Sequence, residues 1–173
     1  RAAIRFVKEA GVDMIKLDGA ADYPEAVSAL TRAGVPVWAQ FGLTPQTALA
    51  TGIPYENQAG ATEAAPGMAE RLVGEARELE GAGAVLLDFT NSGPVIGPMV
   101  VEAVSIPVIG GFGGGPWLDG RVRLAQAAVG YNVAALDKEP SGYANVARII
   151  HDALAECAGD VREGRQIKGQ PGR

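Results

Sequence analysis

Three times in this chain a helix-like stretch ends in Ala-Gly and gives way to an apolar run: at Ala10-Gly11, Ala33-Gly34 and Ala82-Gly83. A glycine just past a helix is the usual left-handed C-terminal cap. The runs that follow are Val12 to Asp18, Val35 to Phe41 and Ala84 to Phe89. Ile106-Pro107-Val108-Ile109-Gly110 enters in the same manner after Val104-Ser105, and Val133-Ala134-Ala135-Leu136 offers a short fifth run. Helical patterns fill the intervals. Pro24 suits a first-turn position, with Glu25 to Arg32 continuing the helix. Thr44-Pro45-Gln46 caps a short helix to Ala50. Pro66 to Glu80 carries Met68, Leu72, Ala76 and Leu79 on one stripe. Val95 to Ala103 and Leu118 to Val129 read as further helices. In Tyr143 to Ala158, the residues Val146, Ile149, Ile150, Ala153, Leu154 and Cys157 keep helical spacing. Strands alternating with helices require a parallel sheet with crossover connections.

Length turns this alternation into an architecture. A complete (β/α)₈ barrel takes about 250 residues, roughly 30 per unit, so 173 residues hold five or six units. The fold class expected is α/β: a (β/α)₈ TIM barrel, of which this chain holds about the last five β/α units plus a C-terminal helix. Residues 1–158 form the partial barrel and its helix, and residues 159–173 form a polar, Gly-rich tail expected to be loosely ordered. A doubly wound open sheet is the competing architecture. The chain begins at Arg1, inside an amphipathic helix with Ile4 and Val7 on one face. The expectation is therefore the later part of a longer protein.

A formal net charge of −5 argues against a nucleic-acid surface. No apolar run approaches the roughly 20 residues of a membrane span. A single cysteine permits no intrachain disulfide, which fits a reducing cytoplasm. The partners expected are a small-molecule substrate and further copies of the chain in a homo-oligomer, with neither nucleic acid nor membrane.

The polar residues at the strand ends are the candidates for chemistry. Strand side chains alternate between faces, so Lys16 and Asp18 share a face, Trp38 and Gln40 share one, and Leu86 and Asp88 share one. If the apolar sets pack on helices, Lys16, Asp18, Gln40 and Asp88 converge at one mouth. A plain internal salt bridge from Lys16 to Asp18 or Asp88 is the alternative, although buried ion pairs rarely improve stability over apolar packing. Gly110-Gly111-Phe112-Gly113-Gly114-Gly115-Pro116 is neither a Walker loop nor a dinucleotide fingerprint, since no Lys-Ser/Thr follows and Pro116 stands where a Gly is needed. It reads as a strand-to-helix turn walling the site. His151, the single histidine, falls off the apolar stripe of the last helix and reads as solvated. Cys157 falls on that stripe and reads as a small core residue. Trp117 and Tyr131 read as packing groups.

At these residues the chain resembles ketopantoate hydroxymethyltransferase, within the wider superfamily of phosphoenolpyruvate mutase and isocitrate lyase. Ile15-Lys16-Leu17-Asp18-Gly19 resembles the family's Lys-Leu-Glu-Gly. The stretch from Gly34 through Trp38-Ala39-Gln40-Phe41 to Gly42-Leu43-Thr44-Pro45-Gln46 resembles its Gly-Ile-Pro-Val-x-Gly-His-x-Gly-Leu-Thr-Pro-Gln. Ile106 to Gly120 resembles its Ile-Pro-x-Ile-Gly-x-Gly-x-Gly-Pro-x-x-Asp-Gly with one extra residue, and Tyr143 to Gly164 resembles its last helix and tail. The resemblance implies a (β/α)₈ barrel that moves a hydroxymethyl group, in an aldol-type step, from 5,10-methylenetetrahydrofolate to 3-methyl-2-oxobutanoate, on the way to pantothenate. It implies Mg²⁺ as cofactor, polarising the ketone and stabilising an enolate. It assigns substrate binding to Lys16, with Gln40 beside it, the metal side to Asp18, and the catalytic base to Asp88.

The chain also departs from that pattern. Asp18 and Asp88 stand where the family has glutamates, Gln40 stands where it has histidine, and Phe89-Thr90-Asn91-Ser92-Gly93-Pro94 is longer than its link to proline. Two alternatives follow: another enolate-forming carbon–carbon or carbon–phosphorus lyase or aldolase of the same superfamily, or a catalytically silent barrel subunit.

Overall fold

The computed structural model describes residues 1–44, 47, 52, 66–111, 114–133, 136 and 142–169. The chain divides into two compact units, Arg1–Val122 and Arg123–Arg173. The first contains α1 (Ala2–Ala10), β1 (Ile15–Leu17), a 3₁₀ turn (Ala20–Asp22), α2 (Pro24–Arg32), β2 (Val37–Gly42), α3 (Met68–Gly81), β3 (Leu86–Thr90), α4 (Ile96–Ala103), β4 (Val108–Gly111) and β5 (Gly120–Val122). The second contains α5 (Ala125–Ala128) and α6 (Val146–Arg162). Among the described residues no helix is long and apolar enough to cross a membrane.

The Ala-Gly signals end their helices as the capping argument requires. Gly11, Gly34 and Gly83 take φ of 65°, 78° and 97°, which a Cβ-bearing residue adopts only at a cost. The strands they release, β1, β2 and β3, join β4 and β5 in one parallel sheet in the order β1-β2-β3-β4-β5. Spatial order among the described strands thus follows chain order, without the reversal that defines a doubly wound sheet.

One face of the sheet carries the core. Val37, Ala39, Phe41, Leu87, Phe89 and Val108 are all at most 1% exposed. They cluster with Val27 of α2, with Leu72, Ala76 and Leu79 of α3, and with Ile96 and Val100 of α4. Phe41 and Phe89 are register partners, and their rings stack at 4.7 Å. The α3 stripe read from periodicity is the buried face: Met68, Leu72, Ala76 and Leu79. Glu80, at the end of α3, accepts hydrogen bonds from the Ser105 N–H at 2.8 Å and the Ser105 hydroxyl at 2.5 Å, which fasten the helix to the approach to β4. Those bonds hold its carboxyl below the usual range.

Several local expectations are corrected. Leu118 to Val129 is not a helix. It holds β5 and then the four-residue α5. The cause is tertiary. The Asp119 carboxylate accepts from the Val108 N–H at 2.8 Å, and the Asp119 N–H donates to the Val108 carbonyl at 3.1 Å. This aligns Gly120 with Ile109, and sheet pairing overrides helix propensity. Of the expected fifth run, residues 134 and 135 lie outside the described residues, as does most of the segment from Pro45 to Ala65 with its short helix. The last helix does not stop at Ala158 but runs through Arg162, and Arg165 pairs with Asp160 at 2.7 Å just beyond it. Its apolar stripe is not a core face: Ile149 is 67% exposed, Leu154 64%, and Cys157 is exposed too. Periodicity reports that a helix has an apolar side, not that this chain covers it. Tyr131 is likewise exposed rather than packed.

Two glycines separate conformational from steric cost. Gly34 has positive φ, but a Cβ there would meet nothing within 4 Å. Gly42, at φ 95°, would set a Cβ 2.6 Å from the Thr90 carbonyl oxygen and 3.0 Å from the Phe89 ring. Gly34→Ala is expected to cost about 1–2 kcal/mol, the ordinary left-handed penalty. Gly42→Ala is expected to cost clearly more, because β3 must also move. Urea midpoints of the two variants check this, and equal losses would refute the close approach of β2 to β3.

Candidate active site

Lys16, Asp18, Gln40 and Asp88 lie on the face of the sheet opposite the core. The register explains how. Lys16 pairs with Trp38, which pairs with Leu86; one step further along the strands, Gln40 pairs with Asp88. Side chains at both levels point the same way because the period is two. Asp18 follows immediately after β1, where the chain leaves the ladder for the Gly19 turn.

Lysine has the reach to connect these levels. From β1, the Lys16 ammonium crosses β2 to lie 3.1 Å from Asp88 Oδ2, and it also pairs with Asp18 Oδ1. It sits 5.7 Å from the centroid of the Trp38 ring, within cation–π range. Partial burial works against its charge, but hydrogen bonds to Asp18 and Asp88, together with their charges, outweigh that penalty and raise its pKa. The two carboxylates differ in setting. The Asp88 side chain is 6% exposed, and that of Asp18 is 74% exposed. One is a buried anion beside a cation; the other opens to water and ions.

Gln40 is engaged at both ends of its amide. Oε1 accepts the Gly19 N–H at 3.2 Å, and Nε2 donates to Thr90 Oγ1 at 3.1 Å. Sequence reasoning does not single out Thr90, and it gives Trp38 no role beyond sharing a face with Gln40. Both share the strand parity of Asp88 and Gln40, so the signal is present. Read alone, Trp38 is bulk rather than the floor beneath an ammonium, and Thr90 is the start of a loop.

Of the Gly-rich stretch, Gly110 and Gly111 belong to β4, Gly114 has φ 76°, and residues 112 and 113 are not among those described. Trp117 is a packing group. A Cβ on Gly97 would come within 2.3 Å of its ring, and one on Gly115 within 2.2 Å. His151 is exposed beside Asp152, as a solvated residue should be. Among the described residues, no group of three or more His, Cys, Asp or Glu side chains could hold a metal ion.

The arrangement sets unequal roles in stability. Lys16→Met is expected to cost about 1–3 kcal/mol, because the buried Asp88 loses a charged partner. Asp18→Asn is expected to stay within about 0.5 kcal/mol. The raised pKa of Lys16 fixes the sign of the pH dependence: its pairing contributes fully below the unfolded-state value of about 10.4 and is lost as pH rises through the folded value. Thermal melts of the unmutated protein and of Lys16→Met should converge on the alkaline side. A Lys16→Met protein as stable as the unmutated one at pH 7 would show that the pair is incidental.

Residues 1–166 match the family described as ketopantoate hydroxymethyltransferase. The chain is 35% identical over 160 residues to the 3-methyl-2-oxobutanoate hydroxymethyltransferase of Geobacillus kaustophilus, covering 92% of this chain and 55% of that protein. It is 38% identical over 167 residues to the protein of that name from Thermococcus kodakarensis, covering 94% and 55%. With its namesake from Thermus thermophilus the figures are 38% over 165 residues, 94% and 60%. The chain thus spans a little over half the length of these relatives. With a family match over 166 of its residues, the chain belongs to the ketopantoate hydroxymethyltransferase family.

Proposed function

We propose that this chain contributes the lysine and the two working carboxylates of a metal-dependent hydroxymethyl transfer to a 2-oxo acid, with 3-methyl-2-oxobutanoate as the substrate and 5,10-methylenetetrahydrofolate as the one-carbon donor. The observation that carries the proposal is the Lys16 ammonium held between Asp18 and Asp88 on the core-free face of β1–β3. The sequential parallel strand order supports a (β/α)₈ barrel, whose sites lie at the C-terminal strand ends.

The residues suit magnesium in part. That ion keeps several waters and takes only one or two carboxylates from the protein. Asp18, open to water, is the carboxylate that would hold it, either directly or through a water. When bound, magnesium polarises the ketone of the substrate.

The remaining steps belong to the chain's own side chains. The Lys16 ammonium binds the carboxylate of the 2-oxo acid and orients it, as a compact cation with three donors can. Asp88, buried beside it, takes the proton from C3, the carbon α to the substrate's ketone. Water opens the methylene bridge of the folate: both methylene–nitrogen bonds break, the two hydrogens of the water go to the two nitrogens, and its oxygen stays with the carbon. C3 then forms a bond to that carbon, and the proton held by Asp88 passes to its oxygen, leaving the hydroxymethyl group. The Trp38 ring closes the floor beneath the lysine, and burial on that side excludes water from the base.

Asp88→Asn should abolish the reaction, because an amide cannot act as this base. The loss should be on the order of 10²–10⁴ in rate. Asp18→Asn should instead raise the magnesium requirement, and excess metal should restore some activity. Solvent exchange of the α-proton of 3-methyl-2-oxobutanoate, followed by NMR with and without magnesium, reads both effects without the folate. Unchanged exchange in Asp88→Asn would remove Asp88 from the role of base. It would then favour the plain ion-pair reading of the same three residues.

A further inference from the structure

We infer that Gln40 and Thr90 form a positioning bridge that holds the turn after Asp18 at a fixed distance from the strand bearing Asp88. The inference rests on Asp18 and Asp88 being the working carboxylates.

The bridge follows from where the main-chain ladder stops. Pairing between β1 and β2 covers Ile15, Lys16 and Leu17 and goes no further. Asp18 lies beyond it and is exposed. Gly19 then turns the chain at φ 66°, ψ 29°. Beyond the ladder, the anchor of this turn on β2 is the Gly19 N–H, donated across to Gln40 Oε1 at 3.2 Å. The same amide donates from Nε2 to Thr90 Oγ1 at 3.1 Å. Thr90 is 1% exposed and ends β3, two residues after Asp88. A single side chain on the middle strand therefore links the ends of both neighbours.

Gln40 is suited to this task. Its amide offers one acceptor oxygen and two donor hydrogens. The oxygen and the nitrogen are each engaged inside the protein, and the residue is only 9% exposed. The bridge spans the same three strands as the Lys16–Asp88 pair. An ionic link and an amide link therefore hold the carboxylates between them, and the amide link does not titrate.

The test uses Gln40→Leu, Thr90→Val and Thr90→Ser, each first shown to melt cooperatively. Two readouts are taken: hydrogen exchange of the Gly19 amide by NMR, and α-proton exchange of 3-methyl-2-oxobutanoate with magnesium. Gln40→Leu should speed Gly19 amide exchange by about five- to tenfold, the equivalent of one net hydrogen bond. Thr90→Val, which is isosteric but lacks the hydroxyl, should shift it in the same direction. The double variant should go no further than Gln40→Leu alone, and Thr90→Ser should match the unmutated protein. Both damaging variants should lower kcat by about ten- to a hundredfold through misplacement of the carboxylates, with KM within about twofold.

A direct substrate contact gives a different pattern. Gln40→Leu would then raise KM, and Thr90→Val would be silent in both readouts. That result overturns the bridge, as does unchanged Gly19 exchange in Gln40→Leu. If the unmutated protein exchanges no α-proton, the functional reading fails, while the Gly19 amide still decides whether the bridge exists.

Discussion

The ammonium of Lys16 reaches across a whole strand. From β1 it passes over β2 to the Asp88 carboxylate on β3 while also pairing with Asp18 on its own chain segment. That span is possible only if three neighbouring strands keep one register and if the face they share is left clear by the helices. The odd positions, Val37, Ala39, Phe41, Leu87 and Phe89, fill the opposite face and satisfy the helices there. A one-residue slip of β2 or β3 would turn those residues outward and drive Gln40 or Asp88 into an apolar core. Hydrophobic burial on one face thereby fixes the electrostatics of the other.

The same pair shows why a cation and two anions can be held together without a large penalty. Charge on Asp88 is costly in a site only 6% exposed, but the lysine that compensates it keeps 35% of its side chain in water. Its second partner, Asp18, is mostly solvated. The cluster grades from dry to wet over three side chains.

Much of this is legible in the sequence, and the reason is periodicity. The Ala-Gly pairs mark where helices end, because a left-handed residue closes them in this way. Alternation along each strand, with the apolar sets placed against helices, assigns Lys16, Gln40 and Asp88 to one face. What the sequence hides depends on partners distant along the chain. Gly120 to Val122 has no strand pattern of its own; it is made a strand by the Asp119 carboxylate receiving the Val108 N–H. The stripe on α6 promises a covered face and proves exposed, because amphipathicity describes one side of a contact only. Thr90 escapes notice because its role exists only through the amide of Gln40.

Strand order also governs when these residues can meet as the chain folds. β1 finds β2, and β3 finds β4, across short intervals each bridged by a single described α-helix. β2 finds β3 only after the chain from residue 43 to residue 85 has closed, the longest gap in the sheet. Loop-closure entropy grows with that length, so contacts across it are the hardest to nucleate. Yet this is the seam where Phe41 stacks on Phe89 and where Gln40 meets Thr90. Half-folded chains can therefore carry either half of the sheet without carrying the site. Until that gap closes, a chain can carry the Lys16–Asp18 pair beside β1 but not the Asp88 that completes the cluster from β3.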